Sequence, residues 1–265
     1  MRMNLVLTPR LRRPLLPLVA IVLGGGCGGG DSQKTGAGAR TVEVPARAAT
    51  QYVVAVDLST SLTDTERGNH KVLLDALAAG LEFGDRLVLL KAHPAGVKSD
   101  TATPRIVTMP SLEGEHPLQS DLDELDMQRE AAANAVASLF KTAPLNGTDL
   151  FATMHSAGER SRESEGKRNV LLVLSDMLQC TSGSVCMERV DELPDSSWII
   201  TQKEQGLVPS LDSVCVSVVG ADASTAQGVK VREFWNAYFR AAGARFSPAR
   251  YVHGASTPTA LRCDG

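Results

Sequence analysis

The stretch YVVAVDLSTS, residues 52–61, decides how the rest of the chain is read. Up to Val56 it is aromatic, β-branched or small and apolar, the pattern of a short buried strand. The run stops at Asp57, and Ser59 and Ser61 follow at alternate positions. One carboxylate and two hydroxyls therefore leave the C-terminal end of a strand together. In an open parallel α/β sheet that end is the edge where ligands bind. Hard oxygen donors of this kind suit Mg2+, Mn2+ or Ca2+ rather than zinc or copper.

Outward from this strand, placed at about 51–57, the elements alternate. Thr63 and Glu66 have the spacing of a capping box. Val72, Leu73, Leu77 and Leu81 then form a helical apolar stripe that stops at Gly84. Residues 86–91 read as a second buried strand and 105–109 as a short one. Residues 118–141 read as a long amphipathic helix, acidic at its start and basic at its end, as the helix dipole favours. A loop at 144–150 launches a helix through about residue 160, and NVLLVLS at 169–175 is the clearest strand, ending in Asp176. A short apolar stretch at 198–201, a strand at 214–219, a helix at 231–242 and a last strand around 245–251 complete the reading. Phe234, Trp235, Tyr238 and Phe239 recur at helical spacing and are assigned to the core. Strands alternating with helices imply an α/β fold, a doubly wound, mostly parallel central sheet flanked by helices in Rossmann-like fashion.

Composition agrees. Aromatic residues are only 4% of the 265, so the core must be built from Val, Leu, Ala and Ile. A formal net charge of −3 without a basic patch gives no reason to expect nucleic acid as a partner.

The first fifty residues read differently. Arg2, Arg10, Arg12 and Arg13 precede an apolar stretch at 14–23, too short to span a membrane comfortably, and Gly24, Gly25 and Gly26 lead to Cys27. This resembles the lipobox of bacterial lipoproteins, with Gly24 where that pattern prefers Leu and Leu23 one place early. The resemblance implies a signal peptide at 1–26, lipid on Cys27, a flexible tether at 27–50 and a folded domain at 51–265. The expected location is the cell envelope, with the lipid in a membrane and the domain outside the cytoplasm. Gly28, where an acidic residue would signal inner-membrane retention, favours the outer membrane or cell surface. An ordinary secretory signal that contains a cysteine is the alternative. With Cys27 lipidated, Cys180, Cys186, Cys215 and Cys263 remain, enough for two disulfides in an oxidising compartment with three possible pairings. Cys180 with Cys186 is the local pairing; Cys215 with Cys263 would then tie down the tail.

Two further segments share the property of the first. Thr148 lies in GTDL, 147–150, before a helix, and Asp176 ends the strongest strand. On one sheet rim, two carboxylates and three hydroxyls can surround a small cation. Asp57-x-Ser59-x-Ser61, Gly147-Thr148 and Asp176, in that order, resemble the metal-ion-dependent adhesion site (MIDAS) of the von Willebrand factor A (VWA) family. The resemblance implies Ser59 and Ser61 as direct ligands, with Thr148, Asp57 and Asp176 binding directly or through water. The implied ion is Mg2+, or Mn2+ or Ca2+, and an open position on it would accept an Asp or Glu carboxylate from a protein partner. Met177 departs from the pattern, in which glycine often follows the last Asp, and the next loop is enlarged and carries two cysteines.

Other readings compete. Ser59, Ser61 and Thr148 could instead cap helices, leaving a metal-free structural envelope protein. Asp57 could be the nucleophile of a haloacid-dehalogenase-like phosphohydrolase, but that pattern requires a second Asp where Ser59 stands. The sequence holds no Gly-x-Ser-x-Gly elbow or Walker loop, and its five histidines are dispersed and expected mostly at the surface. A binding module, not an enzyme, is the expectation.

Overall fold

β1, Thr50–Asp57, is buried along its whole length and lies inside the sheet. A strand covered on both faces has no polar side to show, which is why its apolar residues run on without alternation. The computed structural model describes residues 48–92, 103–114, 116–164, 166–180, 185–187, 193–254 and 257. Cys27, Cys263 and the segment 1–47, with the expected signal peptide and most of the tether, lie outside the described residues.

From β1 the chain continues through α1 (Asp64–Ala79), β2 (Arg86–Ala92), β3 (Arg105–Thr108), α2 (Gln119–Phe140), α3 (Leu150–Arg162) and β4 (Arg168–Leu174). It then forms α4 (Ser196–Glu204), β5 (Cys215–Val219), α5 (Ala226–Ala241), a 3-10 turn (Pro248–Arg250) and β6 (Tyr251–Val252). Among the described residues the strands make one six-stranded sheet in the order β3-β2-β1-β4-β5-β6. All neighbours are parallel except β2 and β3, which are antiparallel at one edge. The expected doubly wound α/β architecture is present.

Side chains of β1 alternate between two cores. Val53 and Ala55 join Leu171, Val173, Val216 and Val218 against Met154 of α3, Ile199 of α4 and Trp235 and Phe239 of α5. Tyr52, Val54 and Val56 face the other way, with Leu87, Leu89 and Leu172 against Leu73 and Leu77 of α1 and Val136 and Leu139 of α2. The aromatic residues of α5 are core, as their spacing indicated. At the N-terminal end of β1, the buried Asp85 accepts from Thr50 N at 2.8 Å and Glu82 N at 3.0 Å.

Several expectations need correction. Val72 is 66% exposed and does not belong to the stripe; Leu73, Leu77 and Leu81 are buried as expected, and His70, Leu74 and Ala78 join them on the inward side. The helix stops at Ala79 with Gly80 as its cap, and Gly84 (φ 76°) makes the turn into β2. The last turn of α2 holds no basic residue, since Lys141 falls at the C-cap. The last strand shrinks to Tyr251–Val252, because Pro248 opens a 3-10 turn where strand was expected.

Candidate functional site

The register of β1 on β4 pairs Val56 with Leu174, so Asp57 and Ser175 leave the sheet side by side. The turn after β1 is stitched to the loop between α2 and α3. Leu145 N donates to Leu58 O and Thr60 N to Leu145 O, both at 3.0 Å. That stitching carries Thr148 to the same rim.

Asp57 is the hub. It is 1% exposed, yet both carboxylate oxygens are satisfied. Oδ1 accepts from Ser59 N at 2.8 Å and from Thr148 Oγ1 at 3.0 Å; Oδ2 accepts from Ser175 Oγ at 2.7 Å. Ser59 Oγ and Ser61 Oγ are 2.8 Å apart. Ser61, exposed on the rim, also hydrogen-bonds the Asp176 side chain. Asp176 Oδ1 accepts from Leu178 N at 2.9 Å. Burial, then the charge of Asp57, push its carboxyl up from 3.8 to about 6, against the opposing hydrogen bonds from Ser61 and Leu178. The structure thus brings Asp57, Ser59, Ser61, Thr148 and Asp176 to one rim. The helix-cap alternative fails for all three hydroxyls. Thr63 caps α1 in a capping box with Glu66, and Asp149 caps α3 by accepting from Ala152 N at 3.0 Å.

The loop after β4 is built into this rim. Met177 adopts φ 65°, the left-handed region that glycine favours, which matches its place where the MIDAS pattern often has glycine. Compensating contacts hold it there. Its N donates to Ser175 Oγ at 2.9 Å, its O accepts from Trp235 Nε1 at 3.0 Å, and its side chain is fully buried. Two residues on, the buried Gln179 Oε1 accepts from Leu150 N at the start of α3. Cys180 bridges to Thr148 and is disulfide-bonded to Cys186, the local pairing expected. At Gly147 (φ 81°) a Cβ would come within 3.1 Å of Cys180 O, so glycine lets the two loops close up. Cys215 is also disulfide-bonded, and its expected partner Cys263 lies outside the described residues.

Ser175, Gln179 and His70 support the rim without having stood out in the sequence. His70, 2% exposed, is a buried exception among the histidines. It packs where a Cβ on Gly220 would come within 2.7 Å of its Nε2, and burial lowers its pKa. Its position three residues before Leu73, on the inward face of α1, was the available signal.

The donor set fits a small divalent cation. Two oxygen ligands at right angles on Mg2+, each about 2.1 Å from it, stand about 3 Å apart. The Ser59 and Ser61 hydroxyls are hydrogen-bonded to each other at 2.8 Å, close enough to turn to one such ion. Among the described residues no group of three or more His, Cys, Asp or Glu side chains comes together as a metal set; the rim offers two carboxylates and three hydroxyls instead. Among the described residues, no helix is long and apolar enough to cross a membrane.

The sheet order with its antiparallel edge defines a doubly wound α/β domain, the architecture that the resemblance to the VWA family implied, with an Asp at the end of β1 facing hydroxyls from two loops. No protein-family model matches the chain, and no curated protein matches it either. Among solved structures it is similar to the pilus adhesin SpaC from Lactobacillus rhamnosus GG, at 13% identity and a TM-score of 0.45, over 82% of this chain and 29% of the adhesin. The manganese-loaded TRAP protein of Plasmodium vivax is 14% identical over 80% of this chain and 70% of its own, with a TM-score of 0.41. A von Willebrand factor type A protein from Catenulispora acidiphila is 14% identical over 74% and 43% of the two chains, with a TM-score of 0.36. The chain thus spans less than a third of the adhesin.

Proposed function

We propose that the rim is a MIDAS-type site for a divalent cation, Mg2+ or alternatively Mn2+ or Ca2+, through which this domain binds a carboxylate of a protein partner. The observation that carries the reading is Asp57. A buried carboxylate held by Thr148, Ser175 and the Ser59 backbone fixes the hydroxyl ring around it. Ser59 and Ser61 would hold the ion directly, while Thr148, Asp57 and Asp176 would complete the set. When bound, the ion supplies a Lewis-acidic position for an incoming Asp or Glu. Neutral hydroxyls withdraw little of its charge, which keeps that position attractive to an anion. The phosphohydrolase alternative is disfavoured by the same hydrogen bonds, because a nucleophilic carboxylate needs a free oxygen facing solvent. On this reading the domain is displayed outside the cytoplasm, tethered through lipid on Cys27.

The test is thermal unfolding with Mg2+ or Mn2+ and with EDTA. At an ion concentration a hundred times Kd, binding adds about 2.7 kcal/mol, or roughly 5–10 °C for a domain of this size. Ser59→Ala is expected to melt near wild type in EDTA and to lose most of the ion-dependent rise. A wild-type melting point indifferent to both ions would sink the reading. Capture of a partner that survives EDTA would remove the ion from recognition.

A further inference from the structure

One residue past Thr148, Asp149 enters the wall of a second concavity. This cleft of about 480 Å3 lies among α3, α4 and α5, within the size range of small-ligand sites. The half-buried Phe151 and Trp198 supply aromatic surface, their ring centroids 5.4 Å apart, and the buried Tyr238 ring backs them with its centroid 5.4 Å from that of Phe151. Asp149 and Glu159 add carboxylates, and no Lys or Arg is among the lining residues described; His155 is the one potential base. Tyr238 carries the most pointed observation. It is 1% exposed, and its hydroxyl has no hydrogen-bond partner among the described residues. Tyr238 lines the same cleft as Asp149, and burial and the charge of Asp149 push its phenol pKa upward.

A phenol oxygen can accept as well as donate, and buried hydroxyls are normally partnered. Aromatic faces attract cations through their quadrupoles, and acidic groups beside them add to that attraction. We propose that the cleft binds an organic cation on a flat or apolar body, its N–H groups donating to Tyr238 and the acidic wall. A free amidine or amine, or the basic side chain of a peptide, carries that chemistry. The inference is independent of cation binding at the rim.

Benzamidine and its neutral near-isostere benzamide are the probes, titrated against the intact domain while the indole resonance of Trp198 is followed by NMR. Benzamidine is expected to shift that resonance saturably and to bind about ten-fold more tightly than benzamide. Glu159→Gln and Tyr238→Phe, which keep side-chain volume, are expected to weaken it about five-fold each while melting within a few degrees of wild type. A second arm compares the blocked tripeptides Gly-Arg-Gly and Gly-Gln-Gly. Preference for the Arg peptide over benzamidine assigns the cleft to a peptide side chain; the reverse assigns it to a free small cation. Equal binding of benzamidine and benzamide, no saturable shift with benzamidine, or unchanged affinity in both variants would overturn the proposal.

Discussion

Asp176 is ionised at neutral pH only against the cost of its own burial and of the charge on Asp57. Its folded pKa of about 6 lies above the ordinary 3.8, so between those values the folded chain binds more protons than the unfolded one. Stability contributed by this group is therefore fully present below about pH 4 and lost as pH rises through about 6, by about 3 kcal/mol. In EDTA, urea unfolding of wild type and Asp176→Asn should diverge across that window, with the variant gaining on wild type as pH rises. Parallel curves would show that Asp176 is not the source. Gly220 is the other residue whose chemistry is narrowly set. Its φ is 107°, and a methyl group there would stand 2.7 Å from His70 Nε2 and 3.0 Å from Ser175 O, so Gly220→Ala adds backbone strain to overpacking. A loss of about 3 kcal/mol in denaturant unfolding is expected.

Legibility differs from element to element. β1, β2, β4 and β5 could be read because parallel strands buried on both faces form unbroken apolar runs, and Asp57 and Asp176 stood out as the acids that end two of them. α4 could not. Its nine residues, SSWIITQKE, bury only Ile199 among their hydrophobic side chains, too little for a stripe. β6 is two residues held by pairing with β5, which no local pattern encodes. At the site, the alternation after β1 exposed Ser59 and Ser61. Ser175 and Gln179 lacked any such signal, because their partners Asp57 and Leu150 are distant in sequence and meet them only through strand register and loop packing. The disulfide loop is the element whose role reaches furthest beyond itself. Through Cys180 it backs the Thr148 strand-like bridge. Removing the Cys180–Cys186 bond with Cys180→Ser and Cys186→Ser together should cost about 2 kcal/mol by the loop-entropy model. It should also weaken Mn2+ binding by titration calorimetry, since the Thr148 loop loses its support. Unchanged Mn2+ affinity would mean that Thr148 is positioned by Asp57 alone.

Across the whole domain, the direction of one strand links the two ends of the functional reading. The chain enters β1 at Thr50 and leaves it at Asp57; eight residues at about 3.3 Å each separate the covalent entry from the rim by roughly 23 Å. The rim therefore stands at the far end of the central strand from the point where the N-terminal segment joins. On the proposed reading, attachment runs through Cys27 and binding through the rim beyond Asp57, so the two should separate cleanly on mutation. Cys27→Ser is expected to move the protein from the membrane fraction to the soluble fraction while leaving the Mg2+-dependent rise in melting temperature unchanged. Ser59→Ala is expected to do the opposite, abolishing that rise in a protein that still sediments with membranes. If Cys27→Ser stays with membranes after washing, the attachment does not run through that cysteine. If it detaches but also loses the ion response, the two ends are not independent.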